Sequence, residues 1–129
     1  MRDEIKINNT FGHSLIVVKE STVVRILSHH LKQSGFSVQR EVPILTGYPR
    51  RIDIVAVGKN GAKIAIEVKV RDVASAIFQV AGVKHLFDEV GVAYWYKYAP
   101  PPDLVRFASE HGITVFEVNH KWVRLITRS

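Results

Sequence analysis

Asp53, Glu67 and Lys69 are the residues of this chain best placed by type and spacing to do chemistry, because they interrupt two apolar runs, IDIVAV at 52–57 and IAIEVKV at 64–70. Both runs are dense in Ile, Val and Ala, which suits strands buried on both faces. A charge in such a strand costs several kcal/mol unless it is paired or bound to a metal ion. Two carboxylates on one sheet face repel, so one of them should hold its proton more tightly, and a divalent cation would reverse that. Carboxylate oxygens are hard ligands of the kind Mg²⁺ takes, and a neighbouring ammonium suits an anionic group such as phosphate.

The elements that must bring these residues together are two strands and their turn. Side chains alternate across a strand, so Glu67 and Lys69 share a face with Ala65, while Ile64, Ile66, Val68 and Val70 point the other way. Asp53 joins them only under one turn geometry. A two-residue Asn60-Gly61 loop places Asp53 opposite Val68, on the wrong side. A three-residue loop of Lys59, Asn60 and Gly61, with Gly61 left-handed as a bulge, places Asp53 opposite Glu67. The three-residue turn is therefore the expectation.

An Asp on one strand followed by Glu-x-Lys on the next, here Ile52-Asp53 and Glu67-Val68-Lys69, resembles the core of the PD-(D/E)xK nuclease superfamily. Ile52 stands where that pattern usually has Pro. Small size and element order make residues 20–118 most similar to archaeal Holliday-junction resolvases. The resemblance implies an α/β, restriction-endonuclease-like mixed β-sheet flanked by helices. It implies Mg²⁺, with Mn²⁺ as a substitute, held by Asp53, Glu67 and the Val68 carbonyl, with Lys69 acting on the attacking water or the phosphate. A glutamate on the first helix completes the metal site in these nucleases. Glu20 is the candidate, one helical turn, about 5.4 Å, earlier than the resolvase position, which Val24 takes here, the alternative being a residue that caps or solvates the helix start. Gln79 stands about where related nucleases place a site-facing Gln or Lys, the alternative being a solvated helix residue. A resolvase must cut two strands, so branched DNA and a twofold homodimer are the implied partners, with the stripe of the second helix or the final strands as interface.

The chain has 129 residues, enough for one domain with a real core; residues 1–12 read as an arm, the alternative being a short edge strand within 1–10. It contains no Cys, which excludes disulfides, thiolate zinc sites and Cys-ligated iron–sulfur clusters. No stretch suits a signal peptide or a membrane span, so the expected location is the cytoplasm. Net charge is +6, which suits a polyanionic partner as well as mere solubility. Arg50, Arg51 and Arg71 cluster beside the motif, where a phosphate backbone would lie. The six His lack the i, i+4 spacing of a zinc helix, and there is no Gly-rich phosphate loop and no G-x-S-x-G.

Along the chain, residues 14–34 read as a first helix, although 15–18 are β-branched enough to be a strand, which would start the helix near Ser21. Val24, Leu27 and Leu31 form its stripe, and one turn back from Val24 lies Glu20. Residues 36–45 alternate as a half-exposed strand, and Pro43 suggests a sheet edge. Asp72 is the expected N-cap of a helix over 73–88, with Ala74, Ile77, Val80 and Ala81 buried. A strand over 92–98 reached through that helix should run parallel to its neighbour. Pro100 to Pro102 break the chain, Asp103 should cap a short helix to His111, and residues 113–118 and 122–126 close the sheet as a strand pair. Two rivals to a nuclease remain: a nuclease-fold protein that binds nucleic acid without cutting it, and an unrelated α/β domain in which Glu67 and Lys69 form a structural ion pair.

Overall fold

A computed structural model describes residues 4–8, 14–44 and 50–126, with side chains from Val18 onward. Six strands, β3 (Ser37–Ile44), β4 (Arg50–Val57), β5 (Lys63–Val68), β6 (Glu89–Trp95), β7 (Ile113–Val118) and β8 (Val123–Ile126), lie side by side in chain order. The first two pairings are antiparallel, β5–β6 and β6–β7 are parallel, and β7–β8 is antiparallel. β3 is an edge strand, which is where Pro43, with no N–H to donate, is tolerated. Among the described residues, α1 (Glu20–Gln33), α2 (Val73–Ala81) and α3 (Pro102–Glu110) are the helices. None is long and apolar enough to cross a membrane.

The sheet divides the core in two. Val23, Ile26, Leu27 and Leu31 of α1 pack on Ile54, Ile66, Val68, Ala93 and Trp95. On the other face, Val73, Ala76, Ile77 and Val80 of α2 and Ala108 of α3 pack on Ala65, Val90, Val92 and Val115. Wholly buried Leu27 alone would cost about 2–5 kcal/mol on truncation to Ala. Gly91 leaves β6 room for its neighbour: a Cβ there would lie 2.9 Å from the Phe116 ring and 3.1 Å from the Thr114 carbonyl oxygen.

Several expected boundaries shift. The first helix starts at Glu20, because residues 14–18 form β2 (Ser14–Val18), which pairs antiparallel with β1 (Glu4–Asn8) in a separate two-stranded sheet. The second helix ends at Ala81 rather than near 88. Gly82 takes the C-cap, and Val83 turns into the core before a single 3-10 turn over Lys84–Leu86. Ala81 is accordingly exposed, and Val73 and Ala76 complete the buried stripe. β6 ends at Trp95, where its ladder with β7 ends, and Tyr96–Tyr98 form a 3-10 turn instead of further strand. Pro101, not Asp103, is the N-cap of α3, with Pro102 in the first turn and Asp103 paired to Arg106 at 3.2 Å. Asp72 caps α2 as expected, its carboxylate accepting the Ser75 N–H at 3.0 Å.

Candidate active site

The β4–β5 turn sets the register. Gly61 is left-handed at φ +83°, its N–H donates to the Gly58 carbonyl at 2.9 Å, and the Gly58 N–H donates to the Ala62 carbonyl at 2.9 Å. Asn60 Oδ1 accepts the Ala62 N–H at 3.0 Å. Lys59, Asn60 and Gly61 thus form the three-residue bulged loop, and the ladder runs Val57↔Lys63, Val55↔Ala65, Ile54↔Ile66. Continued by one residue, it sets Asp53 against Glu67.

A second irregularity sits at Asp53 itself. Ile54 and Ala56 pack into the α1-side core, yet Ile52, of the same parity, packs into the α2-side core. On β3 the same exchange occurs between Val38, which packs with the α1 side, and Val42, which packs with the α2 side. Strict alternation forbids both. The exchange falls at Glu41, which has a left-handed φ of +50°, and at Asp53 opposite it; this pair is missing from an otherwise continuous β3–β4 ladder. Bulges of this kind re-aim side chains. Here the freed Asp53 carboxylate accepts the Val68 N–H at 2.7 Å and hydrogen-bonds the Glu67 carboxyl.

Glu67 is 4% exposed. Burial, then the charge of Asp53 and their shared hydrogen bond, push its carboxyl up to about 8, against the pull of Arg50. Arg50 Nη2 stands 3.4 Å from Glu67 Oε1, and its Nη1 donates to the Gln79 backbone carbonyl at 3.1 Å. Glu20 opens α1 on the rim of a cleft of about 350 Å³ lined with Ser21, Val24, Arg40, Glu41 and Asp53. Desolvation and then Asp53 raise its carboxyl, and Lys69 lowers it, so Glu20, Asp53 and Lys69 share one electrostatic environment. Lys69 is half-buried just past the end of β5, its N–H held by the Ala93 carbonyl at 3.0 Å.

The structure therefore brings together Asp53 and Glu67 in direct contact, with Glu20 and Lys69 around them. The Val68 side chain lies in the α1-side core. Gln79 meets the group through its main chain, by way of Arg50. Arg50, expected on a nucleic-acid surface, is turned inward onto Glu67. Arg51 is exposed on β4, and exposed Arg71 lies over the Tyr98 ring at 4.5 Å. Among the described residues, no group of three or more His, Asp or Glu side chains is arranged to hold a metal ion. The described donor set is the Asp53–Glu67 pair, and exposed Glu20 shares the lining of the cleft with Asp53.

Sequence reasoning passed over Glu117, although it interrupts the apolar run ITVFEV of β7 as Glu67 interrupts its own. Glu117 is 6% exposed, accepts the Tyr94 hydroxyl at 2.5 Å and is bound by Arg124, with Nη2 at 2.6 Å and Nε at 2.7 Å. Burial and the Glu117 carboxylate push the Tyr94 phenol above its ordinary value. A buried carboxylate answered by a phenol and a guanidinium is a structural device. Glu67 differs in facing a second carboxylate.

No protein-family model matches this sequence, and no curated protein matches it. Solved structures do. A protein of unknown function from Silicibacter pomeroyi superposes with a TM-score of 0.64 at 18% identity, covering 83% of this chain and 68% of that one. A second protein of unknown function gives a TM-score of 0.57 at 18% identity, over 73% of this chain and 55% of that one. A repair endonuclease from Pyrococcus abyssi gives 0.55 at 20% identity, over 82% of this chain and 52% of that one. This chain thus spans little more than half the length of the latter two. The fold is α/β and restriction-endonuclease-like, a mixed sheet flanked by helices.

Proposed function

We propose that this chain is a divalent-metal-dependent endodeoxyribonuclease of the PD-(D/E)xK kind, acting on structured DNA as resolvase-like enzymes do. One observation carries the reading: Asp53 and Glu67 meet, side chain to side chain, at a break in the sheet, with Lys69 at the strand end beside them. The donor set fits a hard cation, because two carboxylates forced together, one of them raised to about 8, are the arrangement a divalent ion stabilises. Asp53 and Glu67 would hold Mg²⁺ or Mn²⁺, with the Val68 carbonyl and Glu20 as further oxygen donors. Bound there, such an ion lowers the pKa of its water and neutralises charge on the phosphate.

The chain's own residues supply the rest. The Val68 N–H fixes the Asp53 carboxylate at 2.7 Å, so one of its oxygens is aimed before any ligand arrives. Lys69, half-buried just past β5 and near enough to lower the Glu20 carboxyl, offers an ammonium that can orient a water or stabilise charge developing on phosphate. Arg50 holds the Glu67 carboxylate from the α2 side. Cutting both strands of a branched substrate requires two such sites, hence a homodimer. The expected α2 stripe is not available for that interface, since it is packed on the sheet; Phe78, 75% exposed, is the large apolar side chain that α2 leaves outward.

A second reading, a nuclease-fold protein that binds DNA without cutting, is favoured by one feature. Arg50 already supplies Glu67 with a cation. Incubating a four-way junction, a flap and a plain duplex with Mg²⁺ or EDTA, using wild type, Asp53→Ala, Glu67→Ala and Lys69→Ala, separates the two. A nuclease loses cutting in EDTA and in each variant while still binding DNA. Wild-type binding without any metal-dependent cleavage leaves the second reading.

A further inference from the structure

Arg40 and Glu41 stand next to each other in β3, and both line the cleft that holds Glu20 and Asp53. Neighbours in a regular strand belong on opposite faces. The left-handed backbone of Glu41, φ +50°, breaks that alternation and lets both side chains border one cleft. Arg40 comes to it from the α1 side of the sheet: its partner across the β3–β4 ladder is Ile54, which packs under α1, and Val38, two residues back, packs there too. Ile54 directly follows Asp53, so Arg40 is rooted opposite the residue next to the site's aspartate.

The fold makes no use of the charge. Arg50 meets Glu67 at 3.4 Å, Arg71 the Tyr98 hydroxyl at 3.2 Å, Arg106 Asp103 at 3.2 Å and Arg124 Glu117 at 2.6 Å. Among the described residues, no hydrogen bond or ion pair engages the Arg40 guanidinium, although Glu20 and Glu41 border the same cleft. Arg40 is exposed, and β3 is the edge strand, so a ligand reaches it from outside the sheet.

We infer that Arg40 holds a backbone phosphate of the DNA strand that crosses this cleft, next to the phosphate cut at Asp53 and Glu67. A guanidinium left unpaired beside carboxylates is available to an anion from outside, and its fork of N–H groups takes two phosphate oxygens at once. Holding the neighbouring phosphate fixes the scissile one against the carboxylates, the alignment that attack by water requires. Such a contact positions the strand and reads no sequence. The proposal deepens the nuclease reading and rests on it for the place of the cut; the contact between Arg40 and DNA does not depend on cutting.

The test is equilibrium binding of a fluorescent four-way junction and of a blunt duplex, by anisotropy in EDTA over a series of salt concentrations, so that cleavage plays no part. Each phosphate contact contributes about 0.9 to the slope of log affinity against log salt. Arg40→Ala should lower that slope by about 1 and weaken binding about 8-fold at ~0.1 M salt, the counterion contribution of one contact. Arg40→Lys, which keeps the charge, should keep the slope. Lys63→Ala, which removes an exposed charge at the far end of β5, should match the wild type. The urea midpoint of Arg40→Ala should not move, since no contact within the fold is lost. A wild-type slope in Arg40→Ala, an equal loss in Lys63→Ala, or a wild type that binds neither DNA overturns the proposal. A lowered slope in a protein that never cuts would sink the nuclease reading and leave the contact standing; metal-dependent cutting with the slope unmoved would do the reverse.

Discussion

Removing the charge of Glu67 without changing its shape tests the electrostatic picture most directly. The folded carboxyl is raised from 4.5 to about 8, by burial first and by Asp53 second. Between those two values the folded state holds a proton that the unfolded chain has released. Stability is therefore fully present below pH 4.5 and is lost as pH rises toward 8. At about 1.4 kcal/mol for each pH unit in that interval, the loss is of order 3–5 kcal/mol for a group this buried. Glu67→Gln keeps the volume and cannot ionise, so its stability should change far less over the same range. The assay is urea unfolding of both proteins in EDTA at pH 5, 6.5, 8 and 9, reading the wild-type minus variant difference so that other titrating groups cancel. The variant should overtake the wild type as pH rises. Adding a divalent cation at pH 8 should restore the wild type, by about 2.7 kcal/mol at a hundred times the dissociation constant, and leave Glu67→Gln unmoved. Parallel pH profiles for the two proteins would refute the reasoning, since they would mean that Glu67 ionises as freely in the folded chain as in the unfolded one.

Arg50→Ala should cost little at pH 5, where the Glu67 carboxyl is protonated, and about 1–3 kcal/mol at pH 9, where removing the guanidinium leaves a buried charge facing Asp53; urea unfolding at the two pH values measures the contrast. Gly61→Ala should cost about 1–2 kcal/mol from backbone conformation alone, because φ is +83° and a Cβ would meet nothing within 4 Å; Gly61→Asn, which tolerates that region, should recover part of it in thermal melts. Gly91→Ala should cost about 1–3 kcal/mol by driving a methyl into the Phe116 ring, and Phe116→Leu in the same chain should relieve it, whereas an additive double variant would mean that the Thr114 carbonyl is the obstacle.

The hairpin was legible because its determinants are local. Asn-Gly chemistry, the apolar runs on either side and the parity of Asp53 and Glu67 together leave one turn that satisfies all three, and Gly61 adopts it. The exchange of faces at Glu41 and Asp53 was not legible, since neither residue type demands it and it shows only when Val38 and Val42, or Ile54 and Ile52, are seen to pack on opposite sides of the sheet. Helix lengths erred for a related reason. The apolar period continues through Val83, but Gly82 ends the helix and Val83 reaches the core from a turn, a choice made by the sheet beneath it.

The deepest limit concerns charge. Glu67 and Glu117 present the same anomaly in sequence, one acid in an apolar strand, and nothing in either run tells them apart. Their partners do, and those partners come from strands that only the fold makes neighbours. Glu117 is met by a phenol from β6 and a guanidinium from β8, groups that neutralise it and make it part of the framework. Glu67 is met by Asp53, which aggravates its burial, and by an Arg50 whose attraction leaves the carboxyl still raised. The fold answers Glu117 with a phenol and a guanidinium, whereas it sets Glu67 against a second carboxylate, and under the proposed function that is the pair a bound cation would stabilise most. That contrast, rather than the spacing of Asp53, Glu67 and Lys69, is what the proposed function rests on when it treats Glu67 differently from Glu117.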